Sequence, residues 1–214
     1  MIAVIDNFLP EETFSSIQWY AQNKFEKSYD SRTNTWPTYL LDDYEGIELC
    51  MVGTFNSKLE CAKDGTVSDG DITQFINPTI QYLFDSKDKV SEVFEDDFKY
   101  IQCIIYKAVP RSGVAWHNDP DDAHDATFHQ KNILGVDSLK RIGAGSLYLH
   151  DIWLKRWGGE YMFRIDDDDE HDVGKFAMPM PNRMIIQRTG IKHKVNYVNS
   201  MALDRLSCQL WFTK

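Results

Sequence analysis

After Asp96 and Asp97 the chain stops repeating like a helix and begins to repeat like a sheet, and this change of period limits the fold more than any other feature. Upstream, Phe75, Ile76, Ile80, Leu83 and Phe84 fall at helical spacing in a stretch from 72 to about 94. Downstream, residues 100–106 form a near-continuous apolar run (Ile101, Cys103, Ile104, Ile105), the pattern of a strand with both faces buried. Strand-length segments follow at 147–154, 160–165, 183–187, 192–197 and 205–213, separated by Gly158-Gly159, Gly190 and Asn199-Ser200. Helices gathered first and strands after do not alternate as a parallel β/α fold requires. An α+β chain follows, read as one domain over 1–214: a helical and irregular part over about 1–98 and a β-core over about 99–214.

The opening residues fit that plan. Residues 2–5 read as a short strand, and Pro10, Glu11 and Glu12 bring first-turn chemistry to a helix running to about residue 23. Residues 24–75 carry turn formers without sustained periodicity and are expected to be irregular with short strands. Residues 120–141, rich in Asp and containing His124 and His129, read as a long loop of the kind that serves as a lid. Residues 166–172 read as a solvated acidic hairpin tip, since they lack the glycine and spacing of a calcium-binding loop.

Composition excludes some partners. A net charge of −10 leaves no Lys/Arg surplus for holding nucleic acid by its phosphates. The four cysteines have no CxxC spacing and are expected to be reduced and mostly buried. The first residues have neither a basic leader nor a long apolar run, so the expectation is a cytoplasmic protein without a membrane anchor.

Chemistry enters at His117-Asn118-Asp119. Side chains two apart on an extended strand share a face, so an imidazole and a carboxylate are offered side by side. A second imidazole arrives at His193, and Arg205-Leu206-Ser207 then puts a guanidinium and a hydroxyl on one strand face. Each part alone has an ordinary reading: a turn before Pro120, a half-buried histidine, surface polarity. In this order, and all on predicted strands, they acquire a joint chemical sense. Two imidazoles and one carboxylate suit non-haem Fe(II) and leave positions open for small ligands, while arginine anchors a distant carboxylate through a planar, charge-assisted pair.

The whole pattern resembles the Fe(II)/2-oxoglutarate-dependent dioxygenases, in their prolyl 4-hydroxylase-like branch. The resemblance rests on Ile5-Asp6-Asn7-Phe8-Leu9, on Tyr106 with Gly113 and His117-x-Asp119, and on Leu147-Tyr148-Leu149 with Gly158-Gly159-Glu160. It closes on His193, Arg205-x-Ser207 and Trp211-Phe212. It implies a double-stranded β-helix, jelly-roll and cupin-like, with supporting N-terminal helices. It further implies His117, Asp119 and His193 as iron ligands, and Arg205, Ser207, Tyr106 and Tyr148 around 2-oxoglutarate. The implied reaction is hydroxylation of a C–H bond with dioxygen, releasing succinate and CO2, with ascorbate a candidate accessory. The candidate substrate is a prolyl or other amino-acid side chain in a peptide, or a small amino-acid-like molecule. His124, His129, His150 and His171 are read as structural or solvated. Two readings from other classes stay open: a non-oxidative metal cupin, which has no use for the arginine anchor, and an inactive binding module on the same fold.

Overall fold

Among the described residues two antiparallel sheets and one short two-stranded ladder carry the strands, and the second half of the chain supplies all of the four-stranded sheet and three of the seven strands of the large one. The computed structural model describes residues 1–23, 47–63, 72–120, 123–164 and 174–214, so the acidic tip at 166–172 and much of 24–75 lie outside the described residues. In chain order the elements are β1 (Ile2–Ile5), α1 (Glu11–Asn23), β2 (Ile47–Asn56), β3 (Cys61–Ala62), α2 (Ile72–Asp85), α3 (Lys87–Phe94), β4 (Tyr100–Ala108) and β5 (Val114–His117). There follow β6 (His124–Asp125), α4 (Phe128–Leu134), β7 (Ser138–Leu139), β8 (Arg141–Tyr148), β9 (Tyr161–Arg164), β10 (Gly174–Ala177), β11 (Met184–Arg188), β12 (His193–Val195) and β13 (Arg205–Thr213). The large sheet runs β1-β11-β8-β13-β4-β2-β3 and the small one β10-β9-β12-β5. This is the double-stranded β-helix expected from the resemblance.

β13 sits between β4 and β8 and shows how the sheet separates core from site. Its even positions, Leu206, Cys208, Leu210 and Phe212, are buried in the main apolar cluster with Ile17 and Tyr20 of α1, Ile76, Ile80 and Leu83 of α2, and Phe94 of α3. Each such side chain contributes about 1.5–3 kcal/mol on leaving water. Its odd positions face the small sheet. There a second cluster forms from Tyr148 and Ile185 of the large sheet with Tyr161, Phe163 and Ala177 of the small one. The helices therefore brace the outer face of the large sheet, and the inner face is left for chemistry.

Helix starts follow the expected physics. Glu11 and Glu12 occupy the first turn of α1, where the helix dipole favours anions. The buried Asn182 side chain clamps the segment before it, accepting from Leu9 N at 3.0 Å and donating to Leu9 O at 2.9 Å. Of the four cysteines, Cys103 and Cys208 are buried free thiols and Cys61 is a half-buried one.

Several expectations are corrected. Within 24–75 the structure has the ten-residue strand β2, paired with β4 along its length. It escaped notice because its apolar run does not alternate, and because the register slips between Met51 and Gly53, where φ is +149°. The strand expected at 147–154 lies at Arg141–Tyr148; Gly143 and Gly145 disguise it. β10 was not expected at all. Of the loop expected at 120–141, the described residues 123–141 are folded, with α4 between β6 and β7. Thr127 and Gln130 form a capping box at its start, and Gly135 ends it at φ +67°. Gln130 then donates to Thr54 at 3.1 Å, tying this segment to β2.

Gly143 has a packing reason. A Cβ there would penetrate the Phe94 ring, which is held in place by Phe212 at 4.9 Å between ring centroids. Gly143→Ala is therefore expected to destabilise the protein by about 1–3 kcal/mol, read as a lower midpoint in urea at unchanged m-value. A midpoint equal to wild type would show that the ring moves aside freely.

Candidate metal centre

The small sheet brings the first ligand candidates together. His193 of β12 pairs directly with His117 of β5 across the strand ladder, which sets their rings 4.2 Å apart between centroids. Asp119 is not on a strand: β5 ends at His117, and the chain turns so that the carboxylate still meets the two imidazoles. Ligand atoms of His117, Asp119 and His193 all lie within 4.8 Å of one another. Among the described residues this is a complete set of two imidazoles and one carboxylate.

Hydrogen bonds orient both rings. His117 Nδ1 donates to the Ala115 carbonyl at 2.9 Å and His193 Nδ1 to the Ile191 carbonyl at 2.8 Å. Each ring thereby keeps its Nε2 lone pair for a metal. The Gln187 side-chain amide nitrogen lies 3.0 Å from the same His193 nitrogen. Burial, opposed by the Asp119 charge, holds His193 below its ordinary pKa, so the imidazole is neutral as coordination requires. Tyr161 stacks on the His193 ring at 5.2 Å and 18°.

The second group stands on the large sheet. Register pairs Tyr106 of β4 with Ser207 of β13, and Ser207 with Tyr148 of β8, so three predicted residues form one row across three strands. Arg205 lies one step along the same face, only 2 % exposed, with its guanidinium over the Tyr148 ring at 5.6 Å. No carboxylate pairs with it among the described residues, its Nε has no hydrogen-bond partner, and the neutral Tyr148 phenol is the polar group beside it. Burial lowers the pKa of Arg205 and raises that of Tyr148, which leaves the phenol neutral. A buried cation without a counter-charge is costly unless a ligand supplies one. One pocket joins the two groups: its lining includes His117, Asp119, His193, Tyr106 and Arg205, whereas Ser207 and Tyr148 are not part of that lining.

Comparison with known families agrees with this arrangement. The family described as the 2OG-Fe(II) oxygenase superfamily matches residues 101–213, just over half of the chain. The chain belongs to this superfamily. A comparison with curated protein sequences finds no match. Among solved structures, the fold is similar to a prolyl-4-hydroxylase from Pseudomonas putida, with TM-score 0.62 and 15 % identity over 100 % of this chain and 92 % of that one. It is also similar to a prolyl hydroxylase from Trichoplax adhaerens, solved with a hypoxia inducible factor peptide fragment, at TM-score 0.62 and 13 % identity over 99 % and 82 %. HygX from Streptomyces hygroscopicus, solved with nickel and 2-oxoglutarate, gives TM-score 0.58 and 8 % identity over 99 % and 82 %.

As a 2-oxoglutarate- and Fe(II)-dependent oxygenase, the protein fits its cofactors on its own evidence. The donor set suits iron, and Arg205, without a carboxylate partner among the described residues, suits an anionic tail. A non-oxidative cupin or an inactive module is thereby set aside. Sequence reading missed Tyr161, Gln187 and Arg141 as neighbours of the site, and of the pocket residues it passed over Gln209 and placed Trp211 only in the closing strand. The last two share the period-two face of Arg205 and Ser207, so the signal was present.

His150 is structural, as read from the sequence. It packs on Trp153 at 4.6 Å and donates from Nε2 to the Pro179 carbonyl. Burial lowers its pKa to about 4. Below about pH 6.5 the unfolded chain takes up a proton that the folded one refuses until pH nears 4, so acid removes stability across that window. Between pH 7 and 4.5, wild type is expected to lose about 2–3 kcal/mol more than His150→Gln in urea unfolding. Equal losses would show that the imidazole carries no such penalty.

Proposed function

We propose that this oxygenase hydroxylates an aliphatic C–H bond of a prolyl or other amino-acid side chain, with His117, Asp119 and His193 as the iron ligands. The observation that carries the reading is Arg205, a buried guanidinium lacking a carboxylate partner among the described residues, in the same pocket as the three ligand candidates. Fe(II) and 2-oxoglutarate together supply the oxidation of a C–H bond by dioxygen, with release of succinate and CO2.

The chain's own residues bind and orient. Arg205 takes the far carboxylate of 2-oxoglutarate in a charge-assisted pair, beside Tyr106 on the pocket wall. Tyr148 and Ser207 support it from the same row, Tyr148 by placing a ring face under the cation. The Ala115 and Ile191 carbonyls hold the imidazoles in the tautomer that coordinates. Val114, Ile185 and Val195 give the pocket an apolar wall. Similarity to prolyl hydroxylases, one of them solved with a peptide fragment, supports a peptide side chain as substrate over a small amino-acid-like molecule.

Two measurements test this. Supplied with Fe(II), ascorbate and 2-oxoglutarate, the protein should form succinate even without a prime substrate, and His193→Ala should abolish both this turnover and iron binding. Arg205→Met should raise the KM for 2-oxoglutarate by roughly 10- to 150-fold, the equivalent of about 1.5–3 kcal/mol for a lost charged hydrogen bond, with iron affinity unchanged. A KM equal to wild type would remove Arg205 from the co-substrate site.

A further inference from the structure

Asp119 stands between two partners. Its Oδ2 lies 3.9 Å from Nε2 of His193, and its Oδ1 lies 3.8 Å from Nη1 of Arg141. The two carboxylate oxygens are thus divided between the imidazoles and a guanidinium. Arg141 is held where it is. Its Cζ sits 4.4 Å from the centre of the Trp211 ring, its side chain is 16 % exposed, and its backbone pairs with Thr213 at the start of β8.

The division matters for coordination. Iron bound by two imidazoles and one carboxylate oxygen keeps three positions open, two for a chelating 2-oxo acid and one for dioxygen. A carboxylate bound through both oxygens would take one of these, and co-substrate and oxygen would compete for the remainder. We propose that Arg141 is a positioning residue that claims Oδ1 of Asp119, holds the carboxylate to single-oxygen ligation, and so keeps the third position open. This rests on the reading of His117, Asp119 and His193 as the iron ligands. A guanidinium suits the task because it stays charged, is weakly hydrated and stacks flat on an indole, which an ammonium does less well. Trp211 fixes the plane of the guanidinium, and the guanidinium fixes the carboxylate. Arg141 and Trp211 stand on adjacent strands, so the clamp is part of the sheet.

The test uses the full chain, stripped of metal and reloaded anaerobically. Iron(II) affinity is measured by calorimetry, and 2-oxoglutarate affinity of the iron-loaded protein by calorimetry and by the visible absorption that iron(II) gains on chelation by a 2-oxo acid. Arg141→Gln should keep iron affinity within about threefold, weaken 2-oxoglutarate binding by roughly tenfold or more, and shift the absorption band. Arg141→Lys, which keeps a positive charge, should recover part of the loss. Unchanged 2-oxoglutarate affinity and absorption in Arg141→Gln overturns the proposal. Should that variant not fold, Arg141→Met, with an apolar stem over Trp211, decides on the same two readouts. Asp119→Ala separates the two levels. Iron affinity that survives it removes the ligand reading and the proposal together; iron binding lost there, with 2-oxoglutarate binding intact in Arg141→Gln, removes only the role of Arg141.

Discussion

The structure depends on the two-faced alternation of β13. One face carries Leu206, Cys208, Leu210 and Phe212 into the core, and the other carries Arg205, Gln209 and Trp211 to the pocket. Because this strand lies between β4 and β8, its register also sets the row of Tyr106, Ser207 and Tyr148. A slip of one residue would send the guanidinium into the apolar cluster and leucines into the pocket. Stability and chemistry are therefore specified by the same ladder of hydrogen bonds.

Burying Arg205 beside a tyrosine ring, with no carboxylate among the described residues to balance it, costs folding energy that an apolar residue would not. The sheet tolerates that cost because the helices brace its other face with a large apolar cluster drawn from both halves of the chain. The same burial gives the site its selectivity for an anion, since an isolated cation in a poorly solvated pocket attracts a carboxylate more strongly than a surface one does. At the other end of the pocket, Asp119 lies between the neutral His193 imidazole and the Arg141 guanidinium, so its charge has a cationic partner on one side. An unbalanced cation at the Arg205 end and a balanced carboxylate at the Asp119 end distinguish the two ends of the pocket.

Much of this was legible in the sequence where pattern and period agree. The helices within 72–94 and the strands expected at 100–106, 183–187, 192–197 and 205–213 follow from apolar spacing and residue type. What was not legible had physical causes. The sequence of β2 does not alternate between apolar and polar residues, and β8 is buried on both faces and carries Gly143 and Gly145, so neither shows a period of two. The helix α4 is short, and its capping box from Thr127 to Gln130 was hidden in a stretch dominated by Asp.

By itself the sequence determined the kind of chemistry. A His-x-Asp, a later His and an Arg-x-Ser point jointly to iron and an anchored carboxylate, because residue type dictates which side chains can serve as ligands and a period of two which of them share a strand face. Only the tertiary structure decided how that chemistry is supported. Gln187 beside His193, Tyr161 stacked on it, and Arg141 against Asp119 from its seat on Trp211 are distant in sequence. Their proximity comes from strand order and sheet packing, which no local period encodes.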